Sequence, residues 1–230
     1  MDPPKPSQES ARLAALHEYR LLDTSPEAAF DDITQLAARL CDVPIALVSL
    51  VDIDRQWFKS RVGLDSTQTA REMAFCAHTI LENKPLVVTD ATLDARFADN
   101  PLVTGDPGIR FYAGAPLVTP SGFALGALCV IDVQPRELGA AQLSALQGLA
   151  RAVTAQMELR RVSHDLAQSL EKIKVLEGLL PMCAWCKQVR DAAGDWRSTE
   201  DYFKSQLSVA VTHGICPSCY AEHRPKSQGT

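Results

Sequence analysis

Residues 45–51 read IALVSLV, an apolar run of strand length. The turn sequence Asp52-Ile53-Asp54-Arg55 and a second run, QWFKSRV at 56–62, follow at once. A strand that is apolar along its whole length must be covered on both faces, so this spacing predicts a hairpin at the centre of a sheet. Residues 86–89 (LVVT), 111–118 (FYAGAPLV) and 124–131 (ALGALCVI) supply further strands. The last two are joined by Thr119-Pro120-Ser121-Gly122, in which proline fixes φ and glycine admits a positive φ. Turns this short join antiparallel neighbours, so the sheet is expected to be largely antiparallel. Helical spacing flanks it. Leu13, Leu16 and Tyr19/Leu22 recur within residues 9–22, and Phe30, Ile33, Leu36, Ala37 and Leu40 form a stripe in a second helix. Ser25-Pro26 is read as the start of that second helix and Asp42 as its end, and 72–82 is read as a third. Residues 90–110 are rich in Pro, Gly, Asn and Asp, with one short helix expected around Phe97. A connection of that length is commonly functional. The fold class is therefore α+β, an antiparallel sheet with helices on its faces.

A long helical pattern opens near Gly139. Leu143, Leu146, Leu149, Val153 and Met157 keep the helical period. Leu159, Leu166, Ile173 and Leu180 then recur every seventh residue, with Val162 and Leu176 offset between them and Ser169 interrupting the second row. This is a short coiled-coil pattern, and it predicts a homodimer. His164 falls on the outer face of the coil and is read as an exposed helix residue. Pro181 ends the helix. Beyond it stand Cys183-Ala-Trp-Cys186 and Cys216-Pro-Ser-Cys219. A C-x-x-C turn places two thiolates on one side of a tight knuckle, and two knuckles supply the four sulfurs of a structural zinc site. His213 is near enough to replace one of them. So small a module buries too little surface to fold unaided, and zinc contributes roughly 10–16 kcal/mol in comparable peptides. The expected divisions are a disordered 1–8, a main domain 9–155, a coiled-coil helix 156–180, a zinc module 181–222 and a flexible tail 223–230.

The chain has 230 residues, 46% of them apolar, and a net charge of −5. That balance argues against nucleic acid as a partner, because no basic excess is present to displace counterions. No apolar stretch is long enough to span a membrane. The opening MDPPKPSQES lacks the order of a signal peptide, so a cytoplasmic location is expected. Thiols stay reduced there, and the seven cysteines then call for roles other than disulfides.

Taken together, ALHEYRLLDTSPEAAFDDITQLAARLCDVPIALVSLVDIDRQWFKSRVGL, REMAFCAHTIL, DARFADNPLVTGDPGIRFYAGAPLV and ALGALCVID resemble the GAF domains of bacterial two-component and cyclic-di-nucleotide signalling proteins. The residues from 179 to 220 are similar to short cysteine-rich tails on some receiver, PAS and GAF proteins. The resemblance implies a ligand cavity over one sheet face, with Cys76, His78, Asp90, Phe111 and Tyr112 as the residues to inspect. It also implies a small-molecule ligand of unknown identity and a downstream signalling partner. The function expected is a non-catalytic sensory or adaptor protein that signals through a dimeric coil to the zinc module. Two alternatives stand beside it. One is a thiol reductase of a small oxidised metabolite such as free methionine sulfoxide. The other is an accessory subunit of a histidine kinase system.

Overall fold

The computed structural model describes residues 5–177, 181–191, 193–207, 212 and 214–223, with the backbone alone at 171–177, 206, 207 and 223. Two compact units divide the chain, Met1–Leu166 and Ala167–Thr230. The first holds helices α1 (Glu9–Glu18) and α2 (Ala28–Cys41), strands β1 (Ile45–Val51), β2 (Arg55–Val62) and β3 (Gln68–Ala70), and a single 3-10 turn at Arg71–Met73. Helix α3 (Phe75–Thr79), β4 (Leu86–Val88), α4 (Pro101–Thr104), β5 (Phe111–Val118), β6 (Ala124–Asp132) and the long α5 (Ala140–Glu177), of which the residues up to Leu166 belong to this unit, follow.

The six strands form one sheet in the order β3-β2-β1-β6-β5-β4, antiparallel at every pairing. As the apolar run requires, β1 is central and buried along its whole length. Its alternate residues serve two cores. Ala46, Val48 and Leu50 meet Leu16, Phe30, Ala37, Leu146, Val153 and Met157 of α1, α2 and α5. Ile45, Leu47 and Val51 meet Phe75, Cys76, Phe97 and Ile109 on the opposite face. The period-2 alternation of side chains makes this division unavoidable once both faces are covered.

Several boundaries differ from those expected. Helix α1 stops at Glu18, because Arg20 and Asp23 take the left-handed conformation and turn the chain. Helix α2 begins at Ala28 rather than at Ser25-Pro26. Ser25 instead lends its carbonyl to a buried lysine. The helix expected over 72–82 is reduced to the 3-10 turn and α3. No helix forms at Phe97; the neighbouring helix is α4, whose Asn100 side chain accepts from the Leu102 amide. Strand β3 is too short to leave a periodic signal.

The second unit contains β7 (Val189–Arg190) paired with β8 (Trp196–Arg197), then α6 (Thr199–Leu207) and α7 (Pro217–His223). Val189 is fully buried, whereas Trp185, Trp196, Ile215 and Tyr220 are exposed. Among the described residues of this unit there is thus little apolar core.

Two charged clusters tie the first unit together. Lys59 of β2 has a side chain with no exposed surface. Its ammonium donates to Thr24 Oγ1 at 2.8 Å, the Ser25 carbonyl at 2.8 Å and Glu27 Oε1 at 2.6 Å. Arg160 of α5 donates to the same Glu27 oxygen at 2.9 Å. Burial opposes ionisation of Glu27, but the two cations outweigh it and hold the carboxyl below its ordinary range. In the other cluster Glu9 accepts from Arg12 at 2.8 Å and from Arg71 at 2.6 Å, while Arg71 also donates to the Asp52 carbonyl. Burial again works against ionisation, and again the arginines prevail, holding Glu9 at about 2.

Glu27→Gln leaves the Lys59 ammonium buried without its counter-charge. A loss of about 3 kcal/mol in urea unfolding is expected, and a loss within about 0.5 kcal/mol, typical of an ordinary surface change, would show that the lysine does not need the pair. Glu9 gives a pH signature. Its folded value lies below the ordinary 4.5, so its contribution is present above pH 4.5 and is lost as the pH falls towards 2. Glu9→Gln should flatten the stability profile across that interval in equilibrium unfolding; an unchanged slope there would assign the acid sensitivity to other carboxylates.

Candidate functional site

On the face of the sheet away from α1, α2 and α5, a cavity of about 220 Å³ opens between the strands and the segment that runs through α3 and α4. Ile45 and Leu47 of β1, Gln56 and Phe58 of β2, Tyr112 of β5 and Ile131 of β6 form its floor. Leu64, Ser66 and Thr69 close one side. Ala74, Phe75, Cys76, Leu102, Asp106, Pro107 and Ile109 close the others. The lining is mostly apolar and carries no lysine or arginine. Two of its polar atoms, Gln56 Oε1 and Thr69 Oγ1, are buried without a hydrogen-bond partner. An orphaned buried polar group costs roughly 1–3 kcal/mol, so this pair is poised for a ligand that donates to the Gln56 oxygen and bonds the Thr69 hydroxyl in either sense.

Behind the cavity lies a small polar cluster. Tyr112 Oη hydrogen-bonds Thr79 Oγ1 at 2.6 Å and donates to Cys76 Sγ at 3.3 Å. Cys76 Sγ stands 3.6 Å from Cys129 Sγ on β6. All four residues are almost completely buried. Burial alone would raise the Cys76 thiol, but hydrogen bonding that includes its contact with Cys129 and the bond from Tyr112 brings it below its ordinary value. Cys129 moves the opposite way, pushed up by its bond to Cys76 and by burial. Gly114 makes room for the arrangement. A Cβ there would lie 2.1 Å from Tyr112 Oη and 3.0 Å from Thr79 Oγ1.

Of the residues the sequence singled out, Cys76 and Tyr112 line this cavity. Phe111 is fully buried on the other face, in the core under α1, α2 and α5, because neighbouring strand residues point to opposite sides. Asp90 accepts from the Thr92 amide and hydroxyl and so shapes a turn. His78 packs edge-on against the Phe97 ring, 4.8 Å away, and burial together with Arg96 pushes its imidazole below the ordinary value. Gln56 and Thr69 were missed. The signal for Gln56 was available, since it shares a strand face with Phe58, where an apolar residue is expected. A wider cleft of about 450 Å³ lies between β5 and α5, but none of the orphaned polar atoms among the described residues lines it.

In the second unit each C-x-x-C forms a knuckle. The Cys186 amide points at Cys183 Sγ and the Cys219 amide at Cys216 Sγ, each at 3.5 Å. Hydrogen bonds from the Cys186 and Trp185 amides lower the Cys183 thiol. The Ser218 hydroxyl and the Cys219 amide bring Cys216 down to about 7. The structure builds both pairs, but among the described residues no three His, Cys, Asp or Glu side chains gather closely enough to hold a metal ion. His213 lies outside the described residues.

Comparison with known proteins adds three findings. The family model of the GAF domain matches residues 25–157. A protein of Pseudomonas aeruginosa named as a cyclic di-GMP phosphodiesterase is 46% identical over 160 residues. That match covers 69% of this chain and 27% of the relative, so the chain spans about a quarter of the relative's length. Among solved structures, the bacteriophytochrome RpBphP3 of R. palustris superposes with a TM-score of 0.51 at 12% identity, covering 75% of this chain and 42% of that one, which bears on the fold alone. The phosphodiesterase corrects the functional expectation drawn from the sequence. A non-catalytic sensory or adaptor protein does not accord with a relative of this similarity that is named as an enzyme, and neither alternative reading foresaw a phosphodiesterase. Among the described residues, no helix is long and apolar enough to cross a membrane, as expected.

Gly114→Ala forces the new methyl against Tyr112 Oη. A stability loss of about 1–3 kcal/mol is expected from this overpacking, together with a change in near-ultraviolet tyrosine signal; a neutral outcome would mean that the Tyr112 hydroxyl is free to move.

Proposed function

The chain belongs to the GAF domain family, and from that premise we propose that its cavity is a small-molecule control site serving cyclic di-GMP phosphodiesterase activity. The observation that supports it most is the orphaned pair Gln56 Oε1 and Thr69 Oγ1 inside a mostly apolar chamber. Such a site selects a compact molecule with an apolar or aromatic body and at least one N–H or O–H donor. Cyclic di-GMP itself is a poor fit. It carries two phosphodiester charges, the lining offers no cation to meet them, and 220 Å³ is small beside an ordinary drug-sized pocket of about 300 Å³ or more. The cavity is therefore assigned to control, and hydrolysis to a site elsewhere.

Transmission would run along α5. Arg160 is bonded to Glu27 and to the carbonyls of Tyr19 and Arg20, and Tyr19 donates to Glu158, so the helix is fastened to the domain at this point. Leu159, Val162 and Leu166, at heptad spacing, are more than half exposed. A second copy of the chain is the proposed occupant of that stripe, in a parallel coiled coil. For ligand binding to be felt there, the two arrangements of the helix must differ in ligand affinity.

Zinc is the proposed organiser of the second unit. The donor chemistry fits, since each knuckle turns an amide onto a cysteine sulfur and carries a second thiol beside it, and the scant core leaves the fold in need of a metal that would draw the two pairs together. Cys183, Cys186, Cys216 and Cys219 would hold it, and a closed four-sulfur shell supplies shape without an open catalytic position.

A chimaera tests the first reading: the matching segment of the Pseudomonas aeruginosa phosphodiesterase is replaced by this domain and cyclic di-GMP hydrolysis is followed. A measurable basal rate that Gln56→Leu alters several-fold is expected; a rate indifferent to that change would remove the control role. For the metal, about one zinc per chain by elemental analysis is expected, with Cys216→Ser abolishing it and opening residues 181–223 to proteolysis. Less than about a tenth of an equivalent after metal-replete expression would discard zinc.

A further inference from the structure

Beneath the cavity, two thiols meet in a place where a purely apolar core would need none. Cys76 Sγ and Cys129 Sγ are 3.6 Å apart, one on α3 and the other on β6. Closure to a disulfide brings the sulfurs to about 2.05 Å, a movement of little more than 1.5 Å between a short helix and a strand. The two are not equivalent. Cys76 lines the cavity, and Cys129 does not. Cys76 also receives the Tyr112 hydroxyl at 3.3 Å, while the same hydroxyl is held by Thr79 at 2.6 Å. A donor fixed in this way favours the anionic sulfur, which is the nucleophilic form. One sulfur is thus reachable and activated, and a second waits behind it.

We propose that Cys76 and Cys129 form a redox couple, with Cys76 the attacking thiol and Cys129 the resolving one, oxidised to a disulfide by a small uncharged hydroperoxide that enters the cavity. The oxidant class follows from the chamber. It is apolar, has no cationic lining and is too small for a peptide disulfide such as oxidised glutathione. The Cys76 sulfur attacks the terminal oxygen of the peroxide, the O–O bond breaks, and the alkoxide leaves as alcohol with the proton given up by Cys76. Cys76 is now a sulfenic acid. The Cys129 sulfur attacks it, the S–S bond forms, and the hydroxyl leaves as water with the proton from Cys129. Two thiols and one hydroperoxide yield one disulfide, one alcohol and one water. The new bond would staple α3 to β6 directly under Tyr112, and so change the floor of the ligand chamber.

The test uses the full chain, reduced, then exposed to cumene hydroperoxide and separately to hydrogen peroxide. It is quenched in acid, alkylated under denaturing conditions and mapped without reductant by mass spectrometry. A peptide pair joined through Cys76 and Cys129, restored to free thiols by dithiothreitol, is expected. Tyr112→Phe should slow its formation about fivefold, the worth of one hydrogen bond of about 1 kcal/mol. Because that variant alters a buried residue, Cys129→Ser provides a second reading: Cys76 should then stop at the sulfenic acid and be trapped by dimedone. If the cysteines at 183, 186, 216 and 219 are oxidised while Cys76 and Cys129 remain alkylatable, and no dimedone adduct forms on Cys76 in Cys129→Ser, the couple does not exist.

Discussion

The buried ammonium of Lys59 is the constraint around which the first unit is arranged. A lysine with no exposed surface must find three acceptors, and it finds them in Thr24, Ser25 and Glu27. Those residues lie on the connection between α1 and α2, which explains why that connection turns through left-handed residues at Arg20 and Asp23 instead of extending either helix. Glu27, fixed by the lysine, is then available to Arg160. One buried charge therefore sets the path of a loop, the start of α2 and the seat of α5. Hydrophobic burial supplies the driving force, but it is not directional; the ion pairs decide which of many well-packed arrangements is adopted.

Much of this was legible in the sequence. The uninterrupted apolar run at 45–51 required a strand covered twice, and β1 is that strand. The turn chemistry at 52–55 and 119–122 located two hairpins, with Gly122 at φ 88 as the second demanded. The errors arose where tertiary contacts override local preference. Ser25-Pro26 is a sound helix start, yet the lysine draws the Ser25 carbonyl away. Residues 72–82 have helical composition, yet the chain must drop to the sheet so that Phe75 can stack on Phe97 at 4.0 Å.

The site was less legible, and the reason is geometric. Family resemblance pointed to the right stretch of chain, but a strand shows alternate residues to opposite faces, and nothing in FYAGAPLV says which face holds a cavity. Tyr112 and Phe111 were therefore indistinguishable. Gln56 and Thr69 matter because they lack partners, and partnership is a property of the folded state alone. The functional expectation failed for another reason. A sensing domain reads the same whether it stands alone or serves an enzyme, so the sequence of the domain did not disclose the chemistry named for its relative.

The root of α5 carries two instructions on successive residues. Glu158, Arg160 and Arg161 engage the domain through Tyr19, Glu27 and the Arg20 carbonyl, while Leu159, Val162 and Leu166 face away. Each residue advances an α-helix by about 100°. The anchoring side and the outward side are consequently locked in phase, like teeth on one shaft. Lengthening the shaft by a single residue beyond Arg161 would turn the later apolar teeth about 100° away from those at its root, whereas seven residues would return them almost to where they began. The length of this helix therefore sets the phase between its anchored root and whatever side it presents further along, and an insertion keeps that phase only when it is close to a whole number of helical turns.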